Sequence, residues 1–163
     1  MTAEHIAPPA VDPLDTPRFG LDLYFADGVV PDVAHAIPVF HRAIQTAALD
    51  GLLIDVADYK HVKEGPGVLL VAHELQYAID LSQPGPSLSI HLRRDLPEAP
   101  AARFEGAGAA PRKAAAFLEA QPDLGWRFDR TRLRFRVDDR LVARPGDTSY
   151  RAAAPRLGAW ASA

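Results

Sequence analysis

Hydrophobic and polar positions alternate with a period of two in several short stretches of this chain, and recur every three to four residues in others. Leu21, Leu23 and Phe25 alternate with Asp22 and Tyr24, which predicts a first strand because successive strand side chains point to opposite faces. The run from Gly28 to Asp32 breaks it. Ile37, Phe40, Ile44, Ala47 and Ala48 then give one apolar face at helical spacing, predicting a helix over 37–49. Pro38 fits its first turn, where the missing N–H is tolerated. Asp50 and Gly51 end it, since glycine readily takes the left-handed exit.

Leu52 to Val56 is an aliphatic and β-branched strand, and Val68 to Ala72 a second, after the turn Gly65, Pro66, Gly67. Glycine there serves a positive φ or a close approach of the backbone to another group. Leu75, Tyr77, Ile79 and Leu81 alternate with Gln76, Ala78 and Asp80. That favours a strand joined to its predecessor at His73 and Glu74 over one helix spanning 68–81. Ser87 to Leu92 alternates again after Pro84, Gly85, Pro86. Pro111 opens a predicted helix running to Ala120, with Ala114, Phe117 and Leu118 inward, and Gly106 and Gly108 loosen any helix before it. Trp126 to Val137 is a strand with Leu133, Phe135 and Val137 on one face and Arg132, Arg134 and Arg136 on the other. Asp138 and Asp139 supply a turn before Leu141 to Ala143 returns.

Short connections make these strands antiparallel. The expected fold is therefore α+β, a mainly antiparallel sheet with two helices packed on one face. A proline-rich arm precedes it over 1–18, the domain covers 19–145, and an irregular tail over 146–163 is anchored by Trp160.

Composition sets limits on this picture. The chain has 163 residues, enough for one well-formed core. It has no cysteine, which removes disulfides, thiolate metal sites and cysteine nucleophiles. No apolar run approaches the roughly 20 residues that span a bilayer. The start of the chain lacks the basic and apolar regions of a signal peptide, so a cytoplasmic protein without membrane contact is expected. The formal charge of −3 is uneven: residues 125–163 hold nine arginines against four aspartates, a net of +5, leaving −8 for the rest.

Groups able to do chemistry concentrate between Asp55 and Asp80. The stretches Phe40, His41, Arg42, Ile44, Gln45; Asp55, Val56, Asp58, Tyr59, His61, Val62; Gly65, Pro66, Gly67, Val68; and His73, Glu74, Tyr77, Asp80 occur in that order. Together they resemble a family of small bacterial proteins that share these linked motifs over roughly residues 20–95, a likeness that implies no particular activity.

Three chemistries suit these residue types. A divalent metal needs three or more donors at one point, and His61, His73 and Glu74 are the candidates, with His41, Asp58 or Asp80 as a further ligand. The His73-Glu74 pair is not the zinc-protease pattern, because Tyr77 stands where the second histidine belongs. Acid–base chemistry would use Asp58, Tyr59 and His61, with the carboxylate fixing the imidazole tautomer. Ser82, Ser87 and Ser89 lack a nucleophile elbow. Simple binding of a small ligand would use Tyr59, His61, His73, Glu74, His41 and Asp58 in a polar pocket against the first helix.

Arg132, Arg134 and Arg136 form a ladder at spacing two that needs acids or a bound anion between its charges. Acids of the first half, Asp138 and Asp139, or a second subunit would serve. Phe135 lies on the opposite face from the arginines and gives no interleaved aromatic, which argues against single-stranded nucleic acid. The residues thus point first to a domain that binds a small ligand or ion, then to an enzyme using the same groups with or without metal. An assembly protein pairing through its arginine strand, as in a homo-oligomer, is the third reading.

Overall fold

The computed structural model describes residues 16, 18–63, 65–82, 84–93, 100–138 and 146–161. The elements are β1 (Phe19–Phe25), α1 (Ala36–Thr46), β2 (Leu53–Asp58), β3 (Pro66–Ala72), β4 (Leu75–Asp80), β5 (Ser87–Leu92), α2 (Pro100–Glu119), β6 (Phe128–Val137) and α3 (Asp147–Ala161). The six strands make one sheet in the order β2-β3-β4-β5-β1-β6, antiparallel at every junction. The fold is α+β, as the alternation predicts. Strands β2 to β5 form a meander, and β1 closes it by sitting between β5 and β6.

One face of the sheet carries the core. Leu21 and Leu23 of β1, Leu70 of β3, Tyr77 and Ile79 of β4, and Leu88 and Ile90 of β5 belong to it. Phe40 of α1 and Leu118 of α2 close over them with no exposed surface. Each such large side chain contributes roughly 1.5–3 kcal/mol by leaving water. Tyr77 reaches the end of this layer, where its hydroxyl donates to the Asp50 carbonyl at 3.0 Å. Burial raises its pKa well above the ordinary phenol, with the Asp50 charge adding to the rise.

The helices depart from the sequence pattern. α1 begins after a single 3-10 turn (Val33–His35), which Asp32 caps by accepting from the Ala34 N–H at 3.0 Å. It ends at Ala47, whose φ of 47° supplies the left-handed exit assigned above to Gly51; Gly51, at φ 86°, makes a further turn into β2. α2 starts at Pro100 and carries Pro111 in its interior. Alanine, the best helix former, is frequent along this segment, and Ala110, Ala114 and Ala115 are buried in the core. Propensity and packing there outweigh the glycines and the proline.

The expected irregular tail is also corrected, because residues 147–161 form α3, a third helix despite Pro155. Ala153 is buried and Leu157 packs on the core, so tertiary contact supplies what local sequence lacks. The arm before residue 16, the return at Leu141 to Ala143 and the Trp160 side chain lie outside the described residues.

Candidate functional site

The dense stretch between Asp55 and Asp80 is split by the strand that runs through it. β3 separates the loop bearing Tyr59 and His61 from the two-residue turn bearing His73 and Glu74. At about 3.3 Å per residue the strand spans roughly 20 Å. His61, His73 and Glu74 therefore do not converge, and no three acidic or imidazole side chains among the described residues form a metal-binding group. His41 lies on the exposed flank of α1. Asp80 turns its carboxylate to the Ser82 N–H at 2.8 Å and caps the end of β4.

At the first end, Asp58 accepts from the Lys60 backbone N–H at 2.9 Å and pairs with the Lys60 ammonium at 3.1 Å. That N–H, foremost, holds its carboxyl below the usual range. Asp58 is thus committed to its own turn and does not orient His61. The His61 ring instead lies nearly parallel to Tyr59, with centroids 6.3 Å apart. At the second end, Glu74 accepts from the Leu52 N–H at 3.3 Å and contacts His73 Nδ1 at 3.0 Å. The Leu52 N–H is the main cause of its lowered pKa. Because His73 N–H also donates to the Leu52 carbonyl, this corner fastens the start of β2 to the β3–β4 turn.

A groove does form beside the first end. It holds about 480 Å³ and is lined by Val33, Tyr59, Lys60, Val62, Lys63 and Leu81, with Ser82, Gly65 and Gly67 between them. Two successive turn hydrogen bonds, Val62 N–H to the Tyr59 carbonyl at 2.9 Å and Gly65 N–H to the Val62 carbonyl at 3.2 Å, fold the wall. Gly65 and Gly67 are there for close approach and not for positive φ. A Cβ on Gly67 would meet Val33 Cγ1 at 3.0 Å and the Ile79 carbonyl oxygen at 3.1 Å, and one on Gly65 would overlap Val62.

The richest polar geometry lies elsewhere, on the sheet face opposite the core. Cross-strand pairing lays out rows on that face: Gln76, His91, Gly20, Arg136; Ala78, Ser89, Asp22, Arg134; and Asp80, Ser87, Tyr24. Asp22 at the centre is fully buried. It accepts from the Ser89 hydroxyl, from Arg134 Nε at 2.6 Å and from Arg136 Nη2 at 3.0 Å. Arg136 Nη2 also contacts Ser89 Oγ at 2.9 Å and His91 Nε2 at 2.7 Å. His91 Nδ1 lies 3.0 Å from Asp138 Oδ2. Since Nε2 faces an arginine donor, it acts as acceptor, and the ring proton belongs on Nδ1, donated to Asp138. Gly20 makes room for this stack, because a Cβ there would lie 3.1 Å from Arg136 Nη2 and 3.2 Å from His91 Nδ1.

Ser89, His91 and Asp138 have the spacing of a hydrolytic triad, with Ser89 Oγ 2.9 Å from Nε2. Three facts direct them to another task. The Ser89 proton goes to Asp22, the hydroxyl has no exposed surface, and Arg136 caps the nitrogen that would act as base. The arrangement holds arginines in place; it does not present a nucleophile. Burial works against the Arg134 charge, but Asp22 outweighs it and raises the guanidinium's pKa. For Asp138 burial pushes upward, while the hydrogen bond from His91 and then the Arg136 charge hold the carboxyl below its usual range.

This depression has a sign. A carboxyl whose folded pKa lies under 3.8 contributes stability above that pH, and the contribution disappears as pH falls through the folded value. Asp138→Asn is expected to cost about 1 kcal/mol near neutral pH, given a pair whose side chains are 26% and 34% exposed. Denaturant titrations from about pH 7 to about pH 3 should show the variant and the parent converging at the acid end. A difference that persists unchanged to the acid end would remove Asp138 from the pH dependence.

The sequence predicts the arginine ladder and leaves its partner open among acids of the first half, Asp138 and Asp139, and a second subunit; the structure shows that one residue of the first half, Asp22, serves two arginines at once. The available signal was an aspartate at the middle of the first alternating strand. It reads as a solvated face unless the strand is known to be interior to the sheet. Comparison with protein-family models, curated proteins and solved structures gave no match, so the assignment rests on the geometry. No helix among the described residues is long and apolar enough to cross a membrane.

Proposed function

We propose that the protein is a small-molecule-binding domain whose ligand is an acid with an apolar body, held in the groove between the 59–65 loop and the end of β4. The groove itself carries this reading. Its volume falls within the roughly 300–1,000 Å³ of small-ligand sites. Its wall combines the Lys60 and Lys63 ammonium groups with Tyr59, Val62 and Leu81, whose apolar surfaces are all about two-fifths exposed. Lysine charge selects a carboxylate or phosphate, and the apolar side chains take the remainder of the molecule out of water. Asp58 offsets part of the Lys60 charge, so Lys63 is the stronger anchor.

The test is an amide NMR titration of the whole protein with a panel of aryl and alkyl carboxylates and phosphate esters. Saturable shifts confined to residues 59–67 and 81–82 support the reading. The double variant K60Q/K63Q should weaken the best binder about tenfold or more, the loss expected of charge-assisted hydrogen bonds of roughly 1.5–3 kcal/mol. A panel with no saturating member, or shifts that ignore the two lysines, overturns it.

A further inference from the structure

We infer that Arg132 and Arg134 form a second, separate site, a phosphate-type oxyanion cradle on the sheet face away from the core. Both guanidinium groups lie over the ring of Tyr24, with Cζ 4.7 Å and 5.9 Å from its centroid. They come from positions two apart on β6, so they stand side by side on one face. The ring lies against both groups, and the Asp22 carboxylate fixes Arg134 through its Nε.

Among the described residues, Arg134 spends only Nε in a hydrogen bond, leaving the N–H groups of both terminal nitrogens. Arg132 makes no hydrogen bond there, its contact with Asp129 being an ion pair at 3.9 Å. Asp129 accepts the Thr131 N–H and hydroxyl on Oδ1 at 2.8 Å and 2.6 Å, and its Oδ2 comes no nearer than 3.9 Å to Arg132 Nε. Asp80, the other acid that acts on Arg134, has one carboxylate oxygen on the Ser82 N–H. Two like charges thus share one aromatic face with most of their donors unspent. Guanidinium is planar and presents paired N–H groups, which match the oxygens of a phosphate. A tetrahedral dianion bridging the two groups would satisfy the donors and remove the repulsion.

The same geometry argues against a nucleic-acid strand. Tyr24 is the aromatic residue on the arginine face, contributed by the neighbouring strand, but it is buried beneath the guanidinium groups. It offers no free ring for a base to stack on. Recognition is therefore of the phosphate alone, whether free or as the terminal group of a small ester.

The probes are inorganic phosphate and methyl phosphate, added to the full chain at constant ionic strength with chloride as control. The readout is the arginine Nε–H resonances, and a single-stranded oligonucleotide forms the third arm. Saturable shifts of Arg132 and Arg134 with phosphate, absent with chloride, are expected. Phosphate stronger than its ester assigns the free ion, and the reverse assigns an esterified ligand. Arg132→Gln, at an exposed position that leaves the Asp22 contacts intact, should weaken binding tenfold or more with an unchanged circular dichroism spectrum, while K60Q/K63Q should leave it as it was. Equal shifts with chloride, undiminished binding by the Arg132 variant, or an oligonucleotide that binds more tightly than either small anion would each overturn the site.

Discussion

Replacing Asp22 by alanine is expected to destabilise the domain by about 3–5 kcal/mol, the range found when one partner of a buried ion pair is removed. The carboxylate has no exposed surface and answers three groups at once: Arg134, Arg136 and the Ser89 hydroxyl. Without it, two guanidinium groups with about 30% of their side-chain surface exposed stand beside each other with no counter-charge. Arg136 Nε is already buried without a hydrogen bond of good geometry, although it lies 3.0 Å from Asp22 Oδ2. Asn at the same position keeps shape and an acceptor but loses the charge, and should cost less than Ala. Denaturant midpoints of D22A, D22N and the parent measure this directly. A loss under about 1 kcal/mol in D22A would show that water replaces the carboxylate, and the network would then be a surface feature.

Gly67→Ala has the next largest expected cost, about 1–3 kcal/mol from overpacking. The new methyl would approach Val33 Cγ1 at 3.0 Å and the Ile79 carbonyl oxygen at 3.1 Å. The valine end can shift, whereas the carbonyl belongs to the β3–β4 ladder and cannot move without disturbing it. Trimming the neighbour supplies the control. In the double variant G67A/V33A the Val33 clash is gone, so the combined loss should fall short of the sum of the two single losses, a coupling a double-mutant cycle reads. Strict additivity would locate the strain in the backbone contact alone. Because Val33 and Gly67 both line the groove, the same variants also alter its floor.

β1, β4, β5 and β6 are legible from alternation, with Leu75, Tyr77 and Ile79 against Gln76, Ala78 and Asp80 the plainest case, while β2 and β3 show as short aliphatic runs. α1 is legible through the helical spacing of Ile37, Phe40 and Ile44, although the structure turns Val39, Phe40 and Ala43 deepest into the core. α2 and α3 depart from the sequence pattern because Pro111 and Gly106 are local signals, while Ala110, Ala153 and Leu157 are held by contacts with the rest of the fold. The proposed metal group failed for a topological reason. His61 and His73 are near in sequence yet stand at opposite ends of β3, and a strand keeps its two ends apart. Tyr59 alone of the expected ligand-contacting residues lines the groove, next to Lys60 and Lys63, which carry no motif that singles them out in the sequence. The Asp22 network was hidden because Asp22, Ser89, His91 and Arg136 come from three strands. Only the sheet order brings them together.

That order has a consequence for a chain still being made. Each hairpin of the β2–β5 meander pairs strands that are neighbours in sequence, so closing it takes little loop entropy. Asp22 must wait for Ser89, 67 residues later, and for Arg136, 114 residues later. Until the last strand has emerged and docked, Asp22 lies on a strand with β5 as its one neighbour and no arginine beside it. Its desolvation is a cost that only the arriving arginines offset. The network is therefore a property of the finished sheet and of none of its parts. A chain truncated before β6 would retain the meander's pattern and lose the arginines that make burying Asp22 tolerable.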